Sequence, residues 1–197
     1  MNAGIEQYWL QREHEFDWAP GSLNPSAYEY KVDFEMHIPY FDHRSGRFQM
    51  LMRFPPGEFG CPLHRHVAKT ETFVLRGKQF VHVNANASHW RQLRCAPPTI
   101  RQAGTYDYSG GPEALPHLEH GGIDGALVLL AMQASADAEH VLFQYFNDDL
   151  SIRPATGNKV LSVANVVAAT RRARPSAVAT SGSNEVYETV CQQFGRR

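Results

Sequence analysis

The run Gly57-Glu-Phe-Gly-Cys-Pro-Leu-His64-Arg-His66-Val-Ala-Lys-Thr-Glu71-Thr-Phe-Val-Leu-Arg-Gly77 decides how the rest of the chain is read. In a strand, residues two apart point to the same face, so His64 and His66 present two imidazoles side by side. Glu71 stands five residues further on, at the start of an apolar run, where a short connection would bring its carboxylate alongside. Two neutral imidazoles and a carboxylate form a set for a divalent metal. Nitrogen and oxygen donors favour Fe, Mn, Ni, Co or Zn over Ca or Mg.

Outward from this run the sequence is punctuated by short strand signals. Tyr28–Ile38 alternates apolar and polar residues, the pattern of a half-buried strand. Arg47–Phe54 follows the turn at Arg44-Ser-Gly46 and stops at Pro55-Pro56-Gly57. Thr72–Leu75 and Gln79–Val83 flank Arg76-Gly77-Lys78, which predicts a hairpin. Thr105–Tyr108, Ala126–Met132 and Val141–Phe146 are further strands. Many short strands between Gly and Pro turns, with little helix, predict an all-β sandwich or barrel over residues 28–150. Residues 1–27, rich in Trp, Pro and Gly, read as an irregular N-terminal arm laid against the body. Residues 151–197 form a C-terminal extension. In it Ser162–Arg172 and Glu185–Phe194 are read as helices, separated by the small, polar and flexible Ser176–Ser183.

The order glycine, His64-x-His66, four residues, Glu71, then Gly77 resembles the first motif of the cupin superfamily. The Glu-to-Gly interval is five residues, one shorter than usual, and Gly57 sits one residue further upstream. The resemblance covers about residues 45–135. It implies a single-domain double-stranded β-helix, or jelly-roll barrel, with a metal inside its mouth. The second motif of the family supplies a third histidine after a glycine turn. Counted from Gly104, that place is Leu115; a two-residue insertion in the Ser109–Pro116 loop moves the ligand to His117, and His120 stands as the alternative or as a rim residue. Gly104-Thr-Tyr-x-Tyr108 and Asp42-x-x-Ser-Gly-Arg47 are similar to cupins related to 2,4′-dihydroxyacetophenone dioxygenase and acetylacetone-cleaving dioxygenase, and to the cupin domain of ChrR-type anti-sigma factors. The resemblance therefore implies a ligand set of His64, His66, Glu71 and His117 holding Fe(II), with Zn, Mn or Ni as alternatives. The implied activity is a dioxygenase cleaving a C–C bond in a small hydroxyketone or diketone. A non-catalytic metal-binding sensor and a metal-dependent isomerase or lyase are the rival readings.

Of the ten histidines, His14, His37, His43, His89 and His140 have no partner spacing and read as solvated or locally bonded. His82 shares a strand face with Phe80 and Asn84 and is a second candidate for the pocket. Tyr106 and Tyr108 share a face, with core packing the default and a hydrogen bond to substrate the minority reading. Cys61 reads as a small turn residue. The Phe48, Met50, Met52 and Phe54 stripe reads as barrel core.

With 19 Lys+Arg against 20 Asp+Glu, the chain of 197 residues carries a formal charge of −1, which speaks against a general nucleic-acid binder or a polybasic membrane protein. Its longest clear apolar run, Gly125–Met132, is strand-sized. The first residues lack the basic head and apolar body of a signal peptide, and three cysteines without CxxC spacing suit a reducing cytoplasm. The expected partner is a small-molecule substrate. An exposed sheet edge and apolar terminal segments are compatible with a homodimer.

Overall fold

The structure, a computed structural model, describes residues 3–21, 28–42, 44–111, 113–134, 141–153 and 160–162. In chain order its elements are helix α1 (Ala3–Arg12), a 3-10 turn at Glu13–Glu15, and strands β1 (Ala19–Pro20), β2 (Glu35–Asp42), β3 (Arg47–Phe54), β4 (Gly57–Gly60), β5 (His64–His66) and β6 (Lys69–Val83). Helix α2 (Trp90–Cys95) follows, then β7 (Thr99–Gln102), β8 (Tyr106–Gly110), β9 (His117–Gly122), β10 (Ala126–Gln133), β11 (Val141–Tyr145) and β12 (Val160–Ser162). The strands pair antiparallel in the order β1-β2-β3-β10-β6-β9-β5-β11-β12, with β4 beside β9 and both β7 and β8 beside β6. The sheet curls on itself to enclose an apolar interior. Among the described residues no helix is long and apolar enough to cross a membrane.

Period-2 alternation builds both faces of the first half of the sheet. Phe48, Met50, Met52 and Phe54 of β3 point inward against Val128, Leu130 and Met132 of β10, and all are buried. Leu51, Leu127 and Leu129 point outward and are covered by Trp9 and Trp18 of the N-terminal segment. Each such side chain taken from water contributes about 1.5–3 kcal/mol. The segment expected to be irregular therefore contains a helix, which packs on the barrel's outer face through Trp9.

Strand β6 corrects the hairpin expected at Arg76-Gly77-Lys78: the chain does not reverse there. It runs on for 15 residues, pairing with β10 up to Gly77 and with β9 from Phe80. Gly77 has φ +75° and a Cβ there would lie 2.1 Å from the carbonyl oxygen of Gly125, so glycine allows the strand to bend from one half of the sheet to the other. The strand expected over Tyr28–Ile38 begins later, at Glu35, and extends to Asp42. Its register shifts between His37 and Tyr40, around Pro39, which has no N–H to give the ladder. The helices expected at Ser162–Arg172 and Glu185–Phe194 lie outside the described residues, apart from Ser162, which ends β12.

Candidate metal centre

Three short strands carry the site. In β5 the period of two puts His64 and His66 on the inner face and turns Arg65 away from it. Strand β9 lies next to β5, with His64 opposite His117. In β9 the same period puts Glu119 on the face of His117. Strand β11 flanks β5 on its other side and places Phe143 and Tyr145 opposite His66 and His64. Close approach of β4 completes the arrangement: a Cβ on Gly60 would lie 1.7 Å from the Glu119 carbonyl oxygen, so only glycine fits there.

His64, His66, His117 and Glu119 are all buried, and one ligand atom from each lies within 4.8 Å of the others. The Nε2 atoms of His64 and His66 are 3.1 Å apart, and His117 Nε2 is 3.5 Å from Glu119 Oε1. His64 donates from Nδ1 to the Pro62 carbonyl at 2.7 Å, and His117 from Nδ1 to the Leu115 carbonyl at 3.0 Å. Each bond uses the carbonyl two residues upstream, fixes the ring and leaves the Nε2 lone pair aimed at the cluster, the arrangement that suits a metal-binding histidine. Burial, with His117 adjacent, lowers His64 to about 4 and holds His66 well below its ordinary value, so both stay neutral near pH 7. Burial pushes the Glu119 carboxyl up, but His117, with Nε2 3.5 Å from Oε1, outweighs it as a cation in the same place would, and the group is held well below the usual carboxylate range. A carboxylate buried this deeply is costly without a cation beside it. Three nitrogens and one carboxylate oxygen are donors that fit a divalent transition metal, and this group could hold one.

The carboxylate is not the one expected. Glu71 is absent from the cluster. Its strand pairs Thr70 with Met132 and Thr72 with Leu130, which are inner-face pairs, and Glu71 with Ala131 and Phe73 with Leu129, which are outer-face pairs. The odd spacing from His66 thus leaves Glu71 pointing out of the barrel, where burial raises its pKa. Buried threonines Thr70 and Thr72 face inward in its place. Glu119 went unnoticed in the sequence, although His117-x-Glu119 repeats the spacing of His64-x-His66. His117 joins the cluster, whereas His120, one residue beyond Glu119, faces the other way and meets His82 with Nε2 atoms 3.1 Å apart. His82 accordingly does not point into the barrel. Tyr106 and Tyr108 are exposed, opposite the outward-facing Phe73 and Glu71, and line no part of the site.

Beside His64 is a cavity of about 40 Å³ walled by Phe34, Met36, Met50, Met52, Phe143 and Tyr145. Cys61 lines it too, its Sγ 4.0 Å from Glu119 Oε2, and burial raises this thiol well above its ordinary value. Among the described residues, no Lys, Arg, Asp or Glu is on its wall. Tyr145 supplies a phenol, and burial pushes its pKa up so that it remains a neutral donor.

No protein-family model matches the sequence, and no curated protein matches it. Solved structures do match. An acetylacetone dioxygenase from Acinetobacter johnsonii aligns with TM-score 0.52 at 10% identity, over 80% of this chain and 87% of its own. A candidate acetylacetone dioxygenase from Methylibium petroleiphilum aligns with TM-score 0.51 at 13% identity, over 80% and 90%. An RmlC-like cupin protein from Ralstonia eutropha aligns with TM-score 0.51 at 13% identity, over 93% and 87%. At these identities the likeness is one of fold, and the chain has the cupin fold.

Proposed function

We infer that the chain is a metal-dependent cupin enzyme, an Fe(II) dioxygenase that cleaves a C–C bond in a small, neutral hydroxyketone or diketone. The observation that carries this reading is the buried cluster of three histidines and Glu119, of which His64 lines an apolar cavity. His64, His66, His117 and Glu119 would hold the metal. Four protein donors leave coordination positions open on a six-coordinate ion, enough for a substrate with two adjacent oxygens. When bound, the metal supplies Lewis acidity, a template for the substrate oxygens and a source of electrons for O2.

The chain's own residues do the rest. Methionine and phenylalanine side chains exclude water and favour an uncharged carbon skeleton. An acidic substrate would enter without a partner for its charge, at high cost. Tyr145, kept protonated, can donate a hydrogen bond to a substrate oxygen and fix its orientation, a role for the phenol that Tyr106 and Tyr108 cannot fill. The Pro62 and Leu115 carbonyls hold two imidazoles in place, so the donors need little rearrangement to bind. The shared fold with an acetylacetone dioxygenase makes a β-diketone the first substrate to try.

The test is O2 consumption by anaerobically purified protein reconstituted with Fe(II), against a panel of β-diketones and hydroxyketones. Iron-dependent uptake with stoichiometric substrate loss is expected. Stoichiometric zinc in the protein as isolated, with no O2 uptake by the iron-loaded form, would overturn the dioxygenase reading in favour of a sensor. Substrate loss without O2 uptake would favour a lyase or isomerase.

A further inference from the structure

The second half of β6 runs between β9 on one side and β7 on the other. Val81 lies opposite Glu119 and Val83 opposite His117, so period 2 puts Gln79 on the same inner face, one diagonal step from Glu119. On the β7 side Gln79 pairs with Arg101, which therefore also faces inward. Strand β8 brings Asp107 to that face, opposite the inward-facing Thr72.

Arg101 ties these strands together. Its Nη2 donates to the Asp107 carboxylate, and its Nη1 donates to Gln79 Oε1 at 3.3 Å. A guanidinium has only hydrogens to give, so the amide atom facing it must be the oxygen. With Oε1 held toward β7, Nε2 is turned the other way, to the β9 side where Glu119 stands. Gln79 is wholly buried, and among the described residues Nε2 has no hydrogen-bond partner. A donor fixed in direction and left unpaired in the interior costs the fold stability and calls for an acceptor. The relay is within electrostatic reach of the cluster. Behind burial and the imidazoles of His117 and His64, the Arg101 charge also lowers His66. The cavity beside His64 offers a carbon skeleton an apolar bed, and Gln79 adds a donor for oxygen to what Tyr145 supplies there.

We propose that Gln79 contacts the substrate: its Nε2–H donates to a substrate oxygen held at the metal centre, and Arg101, anchored by Asp107, is the positioning residue that aims it. The proposal rests on the inner cluster being a metal centre, and it does not depend on which reaction follows.

The probe is azide, an anion with lone pairs to spare, titrated onto the Co(II)-loaded protein and followed by the visible cobalt spectrum. Imidazole, which has no acceptor left once it binds a metal, is the control. The wild type should bind both. Gln79→Met should weaken azide at least about tenfold, the loss of one hydrogen bond to a charged ligand, and leave imidazole within about twofold. Arg101→Met should weaken azide severalfold, and Arg101→Lys, which keeps a donor for Oε1, should recover most of that loss. This pair keeps the test decisive if Gln79→Met fails to fold. Cobalt content should match the wild type in all three variants. Unchanged azide affinity in cobalt-loaded Gln79→Met, equal weakening of imidazole, no recovery with lysine, or exclusion of azide by the cobalt-loaded wild type would each overturn the proposal alone. Loss of cobalt from a folded Gln79→Met would also overturn it, since Gln79 would then brace Glu119 instead. A wild type that takes up no cobalt overturns the metal centre itself, and this role with it.

Discussion

His64 and His66 are bases kept neutral where water does not reach, and that has a consequence for stability. In the unfolded chain a histidine titrates near 6.5. In the folded chain burial lowers His64 to about 4, and His66 lies well below its ordinary value. As pH falls below about 6.5 the unfolded state takes up protons that the native state refuses, so stability is fully present above that pH and is lost on the way down to about 4. The thermal midpoint of the metal-free protein should therefore drop across this window, and His64→Gln should make the drop shallower. A flat midpoint between those pH values would contradict the buried neutral pair. At this scale much of the site was legible: period 2 alone made neighbours of His64 and His66, and the family motif led to His117 once a two-residue insertion in the Ser109–Pro116 loop was allowed. The same period contained the answer for the carboxylate. Glu71 stands at odd spacing from the histidines once β5 and β6 follow one another, and Glu119 at even spacing from His117. Which strand lies beside β5 is a tertiary fact, and no local pattern announces it.

Among the elements, β6 supports both halves of the barrel, and its bend depends on Gly77. Gly77→Val would impose an unfavourable positive φ and a contact with the Gly125 carbonyl. The expected loss is about 2 kcal/mol or more, read as a lower urea midpoint. An unchanged midpoint would mean that the bend does not need glycine. Sequence pattern read this turn residue as a reversal because Arg-Gly-Lys between two apolar runs is compatible with either outcome, and only pairing to β10 and β9 decides. The two helices were missed for another reason. Helix α2 has six residues and α1 buries Trp9 within a stretch that mixes polar and apolar residues, so neither shows a long apolar stripe. Trp9→Ala should cost about 3–5 kcal/mol. It should leave metal content unchanged, because Trp9 covers the outer face of the sheet and the cluster is on the inner one. Loss of metal in a folded Trp9→Ala protein would contradict that separation.

For the molecule as a whole, the strands divide polar chemistry between two faces. Inside, three imidazoles and one carboxylate cluster, and His64 among them lines an apolar cavity. Outside, under α2, Arg94 and His120 line a larger one, with His82 beside His120. The all-β class and the barrel were legible because alternation and turn residues recur along residues 28–150. The division of the histidines between faces was not, since it depends on the register of β9 against β5 and β6. The most direct test of the centre is metal content after anaerobic reconstitution with Fe(II) and desalting, measured on the wild type, Glu119→Gln and Glu71→Gln. The geometry predicts about one iron per chain in the wild type and in Glu71→Gln, and little or none in Glu119→Gln. Iron retained by Glu119→Gln and lost from Glu71→Gln would contradict it and return the ligand to β6.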